Sequence, residues 1–252
     1  MGNMRILVCK DYEEMSKKAA QLIASQVTLK PNSILGLATG STPIGMYRDL
    51  VKMYEKGELD FSNIKTFNLD EYYQLPRDND QSYYYFMHKN LFNDINIKEE
   101  NINIPNGMTK DVVSECINYD RAIEDIKGVD IQVLGIGNNA HIGFNEPSNV
   151  FIKNTHLVDL KDSTIKANAR FFESIEDVPK KAVTMGIGSI LAAKKILLLA
   201  SGEGKAEAVY NTVHGEVNPQ VPASILQFHN DVTLILDEAA ASKLNKDDYE
   251  LV

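Results

Sequence analysis

The stretch GIGNNAHIGFNEP, Gly135 to Pro147, combines three glycines and three asparagines with one imidazole and one carboxylate. The imidazole of His141 can pass a proton in either direction. Glu146 or Asn139 could hold its ring in one tautomer, the orienting role of a third group in acid–base sites. The glycines allow positive φ and close backbone approach to a ligand. Neither a helical nor a strand period runs through the segment, so it is expected to be a loop built for proton transfer. Its Gly-x-Gly lacks the full dinucleotide fingerprint, which argues against a nicotinamide cofactor.

Three other places offer complementary chemistry. In LATGSTPIGMY, Gly40, Ser41 and Thr42 follow a short apolar run and precede Pro43, a residue suited to the first turn of a helix. Hydroxyls and free N–H groups at a positive helix end suit a phosphate, and the same residues would serve equally well as a helix cap. In FNLDEYYQL, Asp70 and Glu71 stand where a strand should end. Adjacent residues on extended chain point apart, so at most one of them faces a site. Apolar and aromatic surroundings could raise a carboxylate towards the range of a useful base. In TIKANARFF, Lys166 and Arg170 fall four residues apart, on one face of an expected helix, and Lys205 follows an apolar strand in the turn SGEGK. These cations could be solvated, or could complete an anion site begun by Ser41 and Thr42.

The elements that must position these groups alternate along the chain. MRILVC, SILGLA, IKTFNL, VDIQVL, AVTMGI, KKILLLA and DVTLIL read as strands, with a further one at 156–160. Helices are expected from DYEEMSKKAAQLIASQV, with Asp11 and Glu14 at capping-box spacing, and from PIGMYRDLVKMYEKG, QSYYYFMHKNLF, KDVVSECINYDRAIEDI, 163–172 and 203–213. Strands that are apolar almost throughout, alternating with helices, imply a mostly parallel sheet covered on both faces. The expected fold is α/β: one Rossmann-like three-layer α/β/α domain spanning residues 1–252. Ligands in such folds sit beyond the carboxyl ends of the strands, where all four chemical segments fall.

Composition narrows the partners. The chain has 252 residues, 44% of them hydrophobic, and a net charge of −9 with scattered Lys and Arg, which disfavours nucleic acid. No apolar run approaches the roughly 20 residues needed to cross a bilayer. The opening MGNMRILVCK lacks the features of a signal peptide, and the acylation pattern that Gly2 would begin is not completed by Ser or Thr. Cys9 and Cys116 are too few for a disulfide framework and too isolated for a zinc site. A cytoplasmic protein without metal is expected.

The motifs LGLATGSTPIGMY, TFNLDEYYQL, SYYYFMHKNLF, GIGNNAHIGFNEP, NARFF and SGEGKAEA run in order from about residue 33 to 210. Together they resemble the glucosamine-6-phosphate deaminase family of amino-sugar phosphate isomerase-deaminases. The resemblance implies a hydrolase, a deaminating isomerase, that converts glucosamine 6-phosphate and water to fructose 6-phosphate and ammonia with no metal or cofactor. It implies that Asp70 is the base moving a proton between C2 and C1. His141 would open the ring, supported by Glu146 and Asn139. Gly40, Ser41, Thr42, Arg170 and Lys205 would hold the phosphate. Many members carry Asp where this chain has Asn139, so Glu146 must supply the carboxylate. Members activated by N-acetylglucosamine 6-phosphate carry Arg and Lys where this chain has His156 and Val158. Weak or absent activation is therefore expected, with a monomer or small homo-oligomer rather than a regulated hexamer. A 6-phosphogluconolactonase, which shares the fold, typically has a different sequence after the histidine. A sugar-phosphate sensor would usually carry a basic helical extension before the first strand.

Overall fold

The computed structural model describes residues 4–252; Gly2 lies outside the described residues. Ten of its strands and helices open the chain in the order β1 (Arg5–Cys9), α1 (Tyr12–Leu29), β2 (Ile34–Leu37), α2 (Ile44–Glu55), β3 (Lys65–Asn68), β4 (Asp70–Tyr72), α3 (Tyr83–Asn90), β5 (Ile102–Asn103), α4 (Val112–Asp125) and β6 (Ile131–Gly135). There follow β7 (His156–Asp159), α5 (Asp162–Asn168), β8 (Lys181–Thr184), α6 (Ile187–Leu191), β9 (Ile196–Ala200), α7 (Ala206–His214), β10 (Val232–Asp237) and β11 (Glu250–Leu251).

Eight strands form one sheet in the order β11-β1-β10-β9-β6-β2-β3-β5, and every pairing in it is parallel. Its interior strands are apolar because both faces are covered: Val133, Leu134, Leu198, Leu234 and Leu236 are fully buried. Burial of each such side chain contributes roughly 1.5–3 kcal/mol. Helix α1 packs on β10, β1 and β9 and against α2. The expected α/β fold with its parallel central sheet is the one observed. Parallel alignment puts all carboxyl ends at one edge. The four strands that lead into the chemical segments, β9, β6, β2 and β3, are consecutive neighbours in the sheet. The opposite edge is tied by Asp130, whose buried carboxylate accepts from Lys30 (2.6 Å), Lys194 (2.7 Å) and the Ile34 N–H (2.8 Å).

Three local expectations change. Asp11 caps α1 by accepting from Glu14 N–H (3.0 Å), but the Glu14 carboxylate returns to the N–H of Lys10, one residue before the cap, so the box is displaced. Strand β8 leaves the main sheet and lies antiparallel between β4 and β7 in a second sheet of three strands. Asp70 therefore does not end β3. It begins β4, opposite Thr184. The α-helix read at 163–172 stops at Asn168, and Ala169–Phe171 tighten into a 3-10 turn. Lys166 and Arg170 thus do not share one α-helical face. Lys166 stays exposed, whereas Arg170 turns towards Ser41. The edge strands β5 and β11, two residues each, are too short to show a period.

Candidate active site

The loop after β6 is a compact turn. Gly137 N–H donates to the His141 carbonyl (2.9 Å) and Ala140 N–H to the Gly137 carbonyl (2.9 Å). Ala140 itself takes φ +63°, a conformation that costs a non-glycine residue energy and persists only where the surroundings enforce it. The imidazole lies directly over Gly137: a Cβ there would come within 2.6 Å of the ring. Glycine at 137 is what lets His141 fold back onto its own loop.

Glu146 is buried and organises this loop. Its Oε2 accepts from Asn139 Nδ2 (2.7 Å) and faces His141 Nδ1 (3.4 Å), and its Oε1 accepts from the Thr164 hydroxyl. Asn139 Oδ1 in turn accepts the His141 N–H (3.2 Å). Burial pushes the Glu146 carboxyl up, but the hydrogen bonds and charge of His141, with Thr164 and Asn139, outweigh it and hold the group below the ordinary glutamate value. An ionised carboxylate at Nδ1 fixes the proton there and leaves Nε2 to exchange protons with a ligand.

On the neighbouring strand the two carboxylates diverge, as adjacent residues on extended chain must. Glu71 is consumed structurally, its oxygens accepting the N–H groups of Tyr72 (2.8 Å), Tyr83 (2.9 Å) and Tyr84 (2.8 Å). Burial pushes it up to about 6 against those donors. Asp70 is 5% exposed, and among the described residues no donor bonds its carboxylate. Burial, then the charge of Glu71, push it up to about 8. Its Oδ2 lies 3.6 Å from where a Cβ on Gly143 would stand. Gly143 has φ +56° and belongs to the His141 loop. The Phe144 N–H donates to Thr184 Oγ1 (3.0 Å), and Thr184 is the cross-strand partner of Asp70. The base candidate and the imidazole loop are thereby seated against each other. Tyr72, Tyr83, Phe144 and Phe172 supply the apolar wall beside them, with ring centroids 4.7–5.9 Å apart.

The anion-binding candidates also meet. Arg170 Nη2 lies 3.3 Å from Ser41 Oγ. Lys205 is half-buried; burial, then the guanidinium of Arg170, push its ammonium below the usual lysine value. Two cations that close, with no carboxylate bonded to either among the described residues, favour an anion between them. Helix α2 starts on Pro43 and α7 on Lys205, neither with a side-chain cap. Ser41 and Thr42 are thus not spent on capping, and the partial positive charge of both helix ends adds to the corner. Gly40, φ +93°, turns the chain into it. Tyr12 pins the loop by donating to the Ser41 carbonyl (3.1 Å) and accepting the Gly45 N–H (2.9 Å). Asp237 at the end of β10 holds the other loop by accepting the Gly202 N–H (3.0 Å) and bonding Ser201.

The corner and the dyad are neighbours. A Cβ on Gly204 would stand 3.9 Å from the Asn138 amide, and α5 with its following turn touches three parts of the site through Thr164, Asn168 (2.8 Å to Tyr72 Oη) and Arg170. All nine site residues expected from sequence therefore fall in one connected region. Sequence reasoning missed Thr164 and Asn168, which lie in TIKANARFF where only the cations stood out, and Thr184 and Asp237, which sit in ordinary strands without a motif. Among the described residues no three His, Cys, Asp or Glu side chains cluster as metal ligands. A separate cavity of about 260 Å³, lined by Arg77, Tyr84, Glu99, Glu115 and Tyr119, lies by the β5 edge, away from these groups.

Comparison with known proteins agrees with this geometry. A family model described as glucosamine-6-phosphate isomerases/6-phosphogluconolactonase matches residues 10–235. A glucosamine-6-phosphate deaminase of Clostridioides difficile (strain 630) is 68% identical, covering 99% of this chain and 100% of its own. One of Clostridium botulinum (strain Loch Maree / Type A3) is 59% identical, covering 96% and 99%. The solved structure of a monomeric glucosamine-6-phosphate deaminase superposes with a TM-score of 0.93 at 47% identity, covering 95% of this chain and 100% of its own. A 6-phosphogluconolactonase from Leishmania guyanensis, 20% identical with a TM-score of 0.76 and covering 96% and 99%, shares the fold. The chain belongs to the glucosamine-6-phosphate isomerase/6-phosphogluconolactonase family and, within it, groups with the glucosamine-6-phosphate deaminases.

Proposed function

We propose that this enzyme converts glucosamine 6-phosphate and water to fructose 6-phosphate and ammonia, acting as a hydrolase in amino-sugar breakdown. The observation that carries the reading is a buried, unbonded Asp70 carboxylate seated against the loop that holds the His141–Glu146 pair. The substrate needs both devices. Its C2–H becomes removable only when the ring opens to an aldehyde, and opening requires a proton to pass between the ring oxygen and the C1 hydroxyl. His141, oriented by Glu146 and Asn139, serves that exchange. Asp70 then takes the proton from C2 and returns it to C1, which leaves an imine at C2. Water adds there and the C2–N bond breaks, releasing ammonia and leaving the ketose. Positioned acid–base groups contribute about 10²–10⁴-fold each.

Ser41, Thr42, Arg170 and Lys205, with the backbone turn at Gly40, hold the phosphate at the far end of the sugar. Binding energy from that end orients C1 and C2 against Asp70. The steps are proton transfers, opening of the ring, addition of water and loss of ammonia, with no redox change that calls for a cofactor. The two thiols are unpaired and buried, which fits a cytoplasmic protein, and no described helix is long and apolar enough to cross a membrane. The whole chain acts as one domain.

The test is ammonia release from purified protein given glucosamine 6-phosphate, with hydrolysis of a 6-phosphogluconolactone followed in parallel. Ammonia and fructose 6-phosphate in equal amounts are expected. Lactone hydrolysis without ammonia would identify a lactonase, and binding without either product a sensor.

A further inference from the structure

Thr164 opens the stretch TIKANARFF, in which only Lys166 and Arg170 stand out as chemistry, yet it is 5% exposed and spends its hydroxyl on Glu146 Oε1. We propose that Thr164 is a positioning residue for the acid–base pair: it fixes the Glu146 carboxylate so that Oε2 faces His141, and it does so from the same short segment that carries Arg170 to the anion corner. This rests on the assignment of His141 and Glu146 above and adds a residue to it.

A carboxylate can rotate about its last bond unless both oxygens are engaged. Asn139 engages Oε2 on the side shared with His141. The other oxygen is held by Thr164, which sits on α5 rather than on the loop. Removing that hydroxyl frees Oε1, lets the plane of the carboxylate swing away from Nδ1, and takes away a donor that favours the ionised form. Helix α5 does not float: Asn168 anchors it to Tyr72 Oη and Arg170 reaches Ser41. A bound phosphate that engages Arg170 steadies the same segment that steadies Glu146. Other charged or titratable groups around Glu146 are His141 on its own loop and His156, Asp159 and Lys161, which line a cavity on its far side. None of these last three is hydrogen-bonded to its carboxylate in the structure.

The test compares Thr164→Val, which keeps the shape and loses the hydroxyl, with Thr164→Ser, which keeps the hydroxyl. Two readouts are taken. Carbon-13 NMR follows the Glu146 carboxyl titration in the folded protein, with the signal assigned by its loss in Glu146→Gln. Steady-state ammonia release gives kcat and KM. In Thr164→Val the Glu146 midpoint should rise by about half a pH unit or more, and kcat should fall about ten-fold with KM within about two-fold, as expected for loss of one hydrogen bond to a charged group. Thr164→Ser should restore both. A folded Thr164→Val whose carboxyl midpoint stays at the wild-type value would overturn the proposal, as would a midpoint shift that Ser fails to reverse. The NMR arm needs no turnover, so absence of ammonia from the wild type would count against the assigned reaction and leave the test of Thr164 intact.

Discussion

Burial makes the Asp70 carboxyl a pH-dependent burden on the fold. Folding takes its carboxyl from the ordinary 3.8 up to about 8. Across that window the folded protein binds more protons than the unfolded chain, so this group lowers stability as pH rises through it. Asp70→Asn removes the ionisable group while nearly keeping its volume. It should bind substrate, lose ammonia release by about 10²–10⁴-fold, and melt several degrees above wild type at about pH 9, with the gap closing near about pH 4. Turnover assays and thermal melts at the two ends of that range check both halves. The same residue sets a kinetic limb. In the free enzyme kcat/KM should climb as Asp70 ionises near about 8. Asp70 and His141 were legible as candidates from their residue types and from the glycines, carboxylate and amide near them in sequence. Which of Asp70 and Glu71 faces the site followed only from where the chain places three backbone N–H groups around Glu71.

At the level of elements, the corner proposed to hold the phosphate depends on two loops held from outside themselves. Asp237 closes β10 and accepts from Gly202, Ser201 and Ala240, so it shapes the turn that presents Lys205 without reaching the corner. Asp237→Ala should raise KM for glucosamine 6-phosphate about ten-fold with kcat within about two-fold, since it loosens uniform binding of the phosphate rather than a contact made only in the transition state. Initial rates over a range of substrate concentrations decide it, and an equal fall in kcat would place Asp237 nearer the chemistry. Long strands and helices were readable from period and composition. The departures cluster where elements are short: three-residue β4, the 3-10 turn at Ala169–Phe171, and the two-residue edges β5 and β11. A period of two or 3.6 cannot declare itself in so few residues. The antiparallel sheet of β4, β8 and β7 was hidden for another reason, since an apolar run does not reveal which partner it will pair with.

For the molecule as a whole, sheet order assembles the site. The chain adds β3 on one side of β2 and later returns to place β6 on the other, so the loops after β2 and β6 open at the point where the order reverses. Crevices at such points are the usual ligand sites of α/β folds. Regulation belongs to this scale too. The segment after the loop presents His156 and Val158 on β7 beside a cavity of about 190 Å³ lined also by Asp159 and Lys161. This lining sets the carboxylate of Asp159, ion-paired to Lys181 (3.1 Å), beside Lys161, a poor setting for a phosphate. Initial rates should follow a hyperbola in substrate, unchanged by N-acetylglucosamine 6-phosphate. Light scattering should report a mass near the 28.1 kDa chain or a small multiple of it. A sigmoidal curve that the acetylated sugar phosphate straightens would contradict this.

The amino-acid sequence by itself determined the α/β class, the order of the long elements and the chemical character of each strand-end segment, because those properties are local: side-chain period, turn residues and functional groups within a dozen positions. Only the tertiary structure decided which carboxylate is free, that Arg170 rather than Lys166 meets Ser41, and that Thr164 bonds Glu146 while Asp237 bonds the turn before Lys205. Those outcomes depend on contacts between residues far apart in the chain, such as the 129 positions separating Ser41 from Arg170, and chain folding alone brings such residues within hydrogen-bonding reach.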